Sequence, residues 1–312
     1  MNERWERIGD CVRRRRAENP GPMTLDGTNS YVLAAPGAPG VVVVDPGPAL
    51  EPHLAELAAA GAVELILITH HHGDHTDGSA SLHQLTGAPV RAALAAFCHA
   101  GESLSDGETI HSAGLAITVL ATPGHTSDSV CFAVAPLVPL VPLVPLVPLV
   151  PLVPLVPLVP LVPLVPLVPL VPQAQLAGHF VLTGDTILGS GSTVICYPDG
   201  RLGDYLGSLA ALRSRGLEHG TAGNPVPALP GHGPVLADLA KAAEAYAEHR
   251  GERIAQVRSA VERLKTESGT IPSVQAVAER VYPEVPANLR AAAELNVEAQ
   301  LDYLRNGGSP DL

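Results

Sequence analysis

The segment Thr69-His70-His71-His72-Gly73-Asp74-His75 crowds imidazole and carboxylate side chains directly behind the apolar run Glu64-Leu-Ile-Leu-Ile68. Three further ligand-type residues follow. They are His125 in Thr122-Pro-Gly-His125-Thr126, Asp185 in Thr183-Gly-Asp185-Thr186 and His232 in Pro230-Gly-His232-Gly233. Each stands at a strand end or a Gly/Pro turn, where a side chain can be aimed into a shared cleft. Imidazole and carboxylate together suit Zn²⁺, with Fe or Mn as alternatives. His70 and His72, two apart at a strand end, can point to one side and share an ion. Asp74 and His75 open the next helix and face a neighbouring position. A carboxylate such as Asp185 can bridge two divalent cations about 3.5–4 Å apart, and water between them loses a proton near neutral pH. That water is then the nucleophile, and no serine or cysteine is required. His71 sits between two ligands and is expected to point away. His53, His83, His99, His111, His179, His219 and His249 lack a ligand context and are expected on the surface or in the core.

The flanking pattern is that of an α/β protein. Tyr31-Val-Leu33, Val41-Val-Val-Val44, Glu64–Ile68, Pro89-Val-Arg91, Leu115–Leu120, Val130–Val134 and His179–Thr183 read as strands. Glu51–Ala60, Ser79–Leu85 and Asp204–Arg213 read as helices, the last with a Leu206/Leu209/Leu212 stripe. After Pro234 the strands stop. One helical pattern carries Leu239, Ala243 and Tyr246 and continues through Ile254, Val257, Val261 and Leu264. A second carries Val274, Val277 and Val281, and a third runs from Leu289 to Leu304. This tail predicts a winged-helix-like module over 248–312, after a catalytic domain over 1–247. Its net charge of −2, from 8 basic and 10 acidic residues, favours a packing or substrate-gating role over DNA binding.

Of the 312 residues, 36 belong to Pro-Leu-Val repeated twelve times from Pro136 to Val171. This insert produces the mean hydropathy of +0.22; without it the apolar fraction falls from 46% to about 43%, ordinary for a globular chain. Proline at every third position forbids a transmembrane helix, and polyproline II leaves its backbone unsatisfied in hydrocarbon. No membrane role is expected, and the insert (136–172) is read as an extension of a hairpin loop. The net charge of −12 argues against general nucleic-acid binding. The only concentrated basic run, Arg13–Arg16, is expected to be a solvated terminus. Four cysteines without a C-x-x-C pair suit a reducing cytoplasm, and Met1–Arg16 lacks the apolar core of a secretory signal.

The string H-x-H-x-D-H with downstream His, Asp and His resembles the signature of the metallo-β-lactamase superfamily. The resemblance implies an αβ/βα sandwich. It implies that His70, His72 and His125 hold one metal, that Asp74, His75 and His232 hold a second, and that Asp185 bridges them. Asp45 in Val-Val-Val-Val-Asp45-Pro-Gly would be the early aspartate that supports the ligand loop without binding metal. Asn19–Tyr31, Thr183–Gly189 and the helical C-terminus are similar to the β-lactamase-like protein 2 branch, which has a winged-helix appendage and glyoxalase-II-like bacterial relatives.

The first functional reading is a binuclear hydrolase of a small ester or thioester, with Asp74 orienting the water and receiving a proton. Thr28, Asn29 and Ser190 are expected to line the substrate entrance. The second is hydrolysis of single-stranded RNA by the same two-metal clamp, weakened by the acidic charge and by only 3% aromatic residues. A metal-dependent winged-helix DNA-binding regulator is the third.

Overall fold

The computed structural model describes residues 5–137 and 179–309. Eleven strands occur among them: β1 (Trp5–Arg7), β2 (Val12–Arg16), β3 (Asn29–Leu33), β4 (Gly40–Val44), β5 (Ala62–Leu67), β6 (Val90–Arg91), β7 (Thr109–Ser112), β8 (Leu115–Ala121), β9 (Val130–Pro136), β10 (Phe180–Gly184) and β11 (Ala228–Pro230). The α-helices are α1 (Glu51–Ala58), α2 (Gly73–Thr76), α3 (Ser79–Thr86), α4 (Leu202–His219), α5 (Leu239–Ser268), α6 (Val274–Val281) and α7 (Arg290–Arg305). Strands β1 to β6 form one sheet in sequence order, and the other sheet is ordered β11-β10-β9-β8-β7.

Period-two alternation builds the layers. Val42 and Val44 of β4 face the space between the sheets, where they meet Ile117, Phe132, Val134 and Phe180. Val41 and Val43 face the other way, onto Leu54 and Leu57 of α1 and Leu82 of α3. In the second sheet, Cys131 and Ala133 turn outward onto Tyr205, Leu209 and Leu212 of α4 and Leu239 and Ala243 of α5. Helices therefore cover the outer faces of two facing sheets, the expected αβ/βα sandwich.

The Arg13–Arg16 run departs from expectation. It lies in β2, paired antiparallel with β3 from Val12↔Leu33 to Arg16↔Asn29. Val12 enters the inter-sheet core, and Arg15 is 4% exposed, with Nε 2.6 Å from Glu56 Oε2. The arginines masked a strand whose polar members find partners across the fold. Strands β7 and β11 are also additional. Each is too short for its period to stand out, and each is held by pairing with a longer neighbour.

The Pro-Leu-Val insert lies outside the described residues beyond Leu137. Its flanks are hydrogen-bonded neighbours: β9 and β10 pair antiparallel, with Phe180↔Val134 and Leu182↔Phe132. At the C-terminus, α5 runs unbroken through the expected boundary at 247/248, from an Asp238 N-cap to the left-handed Gly269. Its second half packs Val257 and Ala260 against Val277 of α6 and Val297 and Leu301 of α7. Among the described residues no strand follows β11, so no strand-built wing accompanies these helices. No helix among them is long and apolar enough to cross a membrane.

Candidate metal centre

Parallel pairing brings the candidate ligands to one edge of the sandwich. β4 and β5 run parallel with Val44↔Leu67, so Asp45 and the 69–75 loop leave the first sheet together. β10 and β11 are parallel with Gly184↔Pro230, which sets Asp185 beside His232. His125 follows β8 in the turn before β9.

The seven expected ligands meet there. His72 Nδ1 lies 3.0 Å from both His70 Nε2 and His125 Nε2. His232 Nε2 lies 3.3 Å from His75 Nε2 and 3.1 Å from Asp74 Oδ2. Asp185 stands between the groups: Oδ1 is 3.5 Å from His75 Nε2, while Oδ2 is 3.5 Å from His232 Nε2 and 3.8 Å from His125 Nε2. The triads His70/His72/His125, His70/His75/Asp185 and Asp74/His75/His232 each place their ligand atoms within 4.8 Å of one another.

Backbone and buried side chains select which ring nitrogen faces inward. Thr69 Oγ1 donates to Asp45 Oδ2 at 2.7 Å, so it accepts from His70 Nδ1 at 3.1 Å. His125 Nδ1 donates to the Val194 carbonyl at 2.6 Å, His75 Nδ1 to Asp45 Oδ2 at 2.8 Å, and His232 Nδ1 to the Gly27 carbonyl at 3.3 Å. With Nδ1 committed to these partners, each of these four rings turns its Nε2 toward the centre.

The charges ask for cations. Burial lowers the pKa of His70 well below the usual value, that of His72 to about 4, and that of His125 as well. Burial opposes charge on His75 and His232 too. Asp45 and Asp185 outweigh it at His75, and Asp185 with Asp74 raises His232 to about 9. Those two imidazoles in turn hold Asp185 well below the carboxylate range against its burial. Asp185 Oδ1 is buried without a hydrogen-bond partner. Gly231 leaves open the space where a Cβ would sit 2.6 Å from that oxygen. The unprotonated imidazoles of His70, His72 and His125, the carboxylates that favour positive charge at His75 and His232, an orphaned carboxylate oxygen and an open cradle fit divalent cations.

The family model of the metallo-beta-lactamase superfamily matches residues 23–232. The chain belongs to that superfamily. The chain is a metal-dependent hydrolase. It is 28% identical over 315 residues to a beta-lactamase-like protein 2 homolog of Caenorhabditis elegans, covering 97% of this chain and 87% of the relative. It is likewise 28% identical over 309 residues to an atrochrysone carboxyl ACP thioesterase of Aspergillus chevalieri, covering 92% and 78%. A metallo-beta-lactamase family protein from Thermus thermophilus superposes with TM-score 0.63 at 21% identity, covering 96% of each chain. A beta-lactamase domain protein from Burkholderia ambifaria gives 0.67 at 17%, covering 97% of this chain and 88% of that one. At such identities these two likenesses bear on the fold.

A cleft of about 540 Å³ opens from His125 and Asp185 of the metallo-beta-lactamase site. Met23, Leu25 and Leu188 line it, with Tyr282, Leu289 and Arg253 on the C-terminal side. Ser190 is on its wall. Thr28 and Asn29 are not. Both are fully buried: Thr28 bonds Asn19, and Asn29 Nδ2 donates to the carbonyls of Pro230 and Gly233 at 2.9 Å. The Asn29 amide braces the His232 loop, while the Thr28 hydroxyl accepts from Asn19. His71 does point away from the ligands, toward Asp128 Oδ1 at 2.7 Å. His53 is buried against Ser30 Oγ at 2.8 Å. Arg250 and Asn296, near the cleft, carry no sequence signal, since each looks like one polar residue on a mixed helix.

Proposed function

We propose that the chain hydrolyses a small ester or thioester at a two-cation centre, with Zn²⁺ as the metal. The carrying observation is Asp185, whose two carboxylate oxygens lie within 3.8 Å of ring nitrogens from both His clusters. His70, His72 and His125 would hold one cation and Asp74, His75 and His232 the other, with Asp185 facing both. When bound, such ions polarise a scissile carbonyl and make water acidic enough to attack near neutral pH. Asp74 is the carboxylate of the centre most open to solvent, its side chain 28% exposed against 11% for Asp185. It is placed to orient water and to receive its proton. The apolar wall of Met23, Leu25, Leu188 and Leu289 excludes water around an acyl group. A covalent route through a thiol is not supported: burial pushes Cys131 and Cys196 up to about 11. The relative named as an acyl-carrier-protein thioesterase also favours a thioester.

Metal-loaded protein assayed against a thioester panel and a labelled single-stranded RNA tests the reading, with His70→Ala as control. Thioester hydrolysis that disappears in the variant is expected. RNA cleavage that disappears in the variant, with every thioester inert, would overturn it.

A further inference from the structure

We propose that the C-terminal helices position His125, acting through Arg250 of α5 and Asn296 of α7. The inference goes beyond the choice of substrate and rests only on the first cation site.

His125 is gripped by one short segment. Its Nδ1 donates to the Val194 carbonyl, and its own carbonyl accepts from Cys196 N at 3.0 Å. This segment belongs to the stretch between β10 and α4, which has no helix or strand of its own. Its shape must come from side chains. Two of them come from the C-terminal helices. The Arg250 guanidinium donates through Nη2 to the Thr193 carbonyl. Asn296 Oδ1 accepts from Ile195 N at 3.1 Å and from Arg250 Nη1 at 3.4 Å, while its Nδ2 donates to the Ala292 carbonyl at 3.1 Å. The bond to Ala292 sets the amide so that its oxygen faces the segment. Thr193 Oγ1 also donates to the Asp185 carbonyl at 2.9 Å, so the clamped residue touches the backbone of a second ligand.

The character of Arg250 supports a positioning role over simple packing. The residue is 1% exposed, and among the described residues its guanidinium meets a carbonyl, an amide oxygen and an aromatic ring rather than a carboxylate. Its Nε has no hydrogen-bond partner, and the Tyr205 ring lies 5.2 Å from its guanidinium carbon. A buried, unpaired cation is costly, and an aliphatic side chain would fill the volume more cheaply. What the guanidinium adds is a rigid fork that reaches the Thr193 carbonyl and the Asn296 amide at once. The far nitrogen of a metal-binding histidine needs such a fixed acceptor.

Titration of the metal-free full chain with Co²⁺ under chelator competition provides the test. His125→Ala and His232→Ala assign the two sites. Asn296→Ala and Arg250→Met are expected to weaken the site lost in His125→Ala by about ten- to a hundred-fold. The site lost in His232→Ala should weaken far less, and Arg250→Lys should recover part of the loss. Equal weakening of both sites, or no change in either with two ions still bound, would overturn the positioning role alone. Failure of the wild type to take up Co²⁺ would overturn it together with the two-cation reading.

Discussion

Asp45 Oδ2 accepts a hydrogen bond from His75 Nδ1 at 2.8 Å, joining the end of β4 to a candidate ligand thirty residues later. The same carboxylate accepts from Thr69 N at 2.8 Å and from Thr69 Oγ1. One buried aspartate therefore fixes the orientation of the His75 ring and the start of the 69–75 loop. Asp45 itself has φ of +50°, a conformation Asp tolerates better than most residues. Asp45→Ala is expected to lower affinity at the His75 site by about ten- to a hundred-fold, measured by metal titration. Unchanged affinity would remove this supporting role.

A methyl group at Gly231 would meet Asp185 Oδ1 at 2.6 Å and His75 Cε1 at 2.7 Å. Gly231→Ala should therefore displace Asp185 and His75, lowering both the metal content and the metal-free protein's Tm. Metal analysis and a thermal scan check both halves. Full metal content in the variant would contradict the open cradle.

His53 gives a pH dependence outside the ligand set. Burial, aided by Arg15, lowers its pKa from 6.5 to about 4. Between those values the unfolded chain binds the proton that the folded chain refuses, so stability rises with pH from about 4 to 6.5. The stabilisation is complete above pH 6.5 and amounts to about 3 kcal/mol at most. His53→Gln should flatten that part of the curve relative to wild type, read from urea unfolding across the pH range. Parallel curves for the two proteins would reject the assignment.

The register Phe180↔Val134 leaves the strands on either side of the insert paired as a hairpin would pair them. Excising Pro139–Pro172 is expected to preserve the fold and the metal content, because insertions at such a junction cost little closure entropy. Loss of metal from the deleted protein would show that the insert supports Asp185.

Much of this was legible in the chain itself. The residues that converge were nameable because types that bind cations recur at strand ends and Gly/Pro turns. The Val41–Val44 strand was readable from its composition, and its two faces followed from period two. Arg13–Arg16 misled because charge is read locally, whereas pairing with β3 makes Arg15 a strand residue and Glu56 on α1 partners its buried guanidinium. Thr28 and Asn29 misled in the same way, since a polar loop residue looks alike whether it meets substrate or a buried carbonyl.

The sequence by itself determined which atoms can bind a cation, and it placed them at the ends of strands through patterns only a few residues long. Tertiary structure decided which nitrogen of each ring faces inward, which polar side chains are buried, and what braces the ligand loops. Those choices depend on partners far along the chain: Gly27 lies 205 positions from His232, and Val194 lies 69 from His125. A hydrogen bond of that kind exists only after the sheets have paired, so no local pattern can carry it.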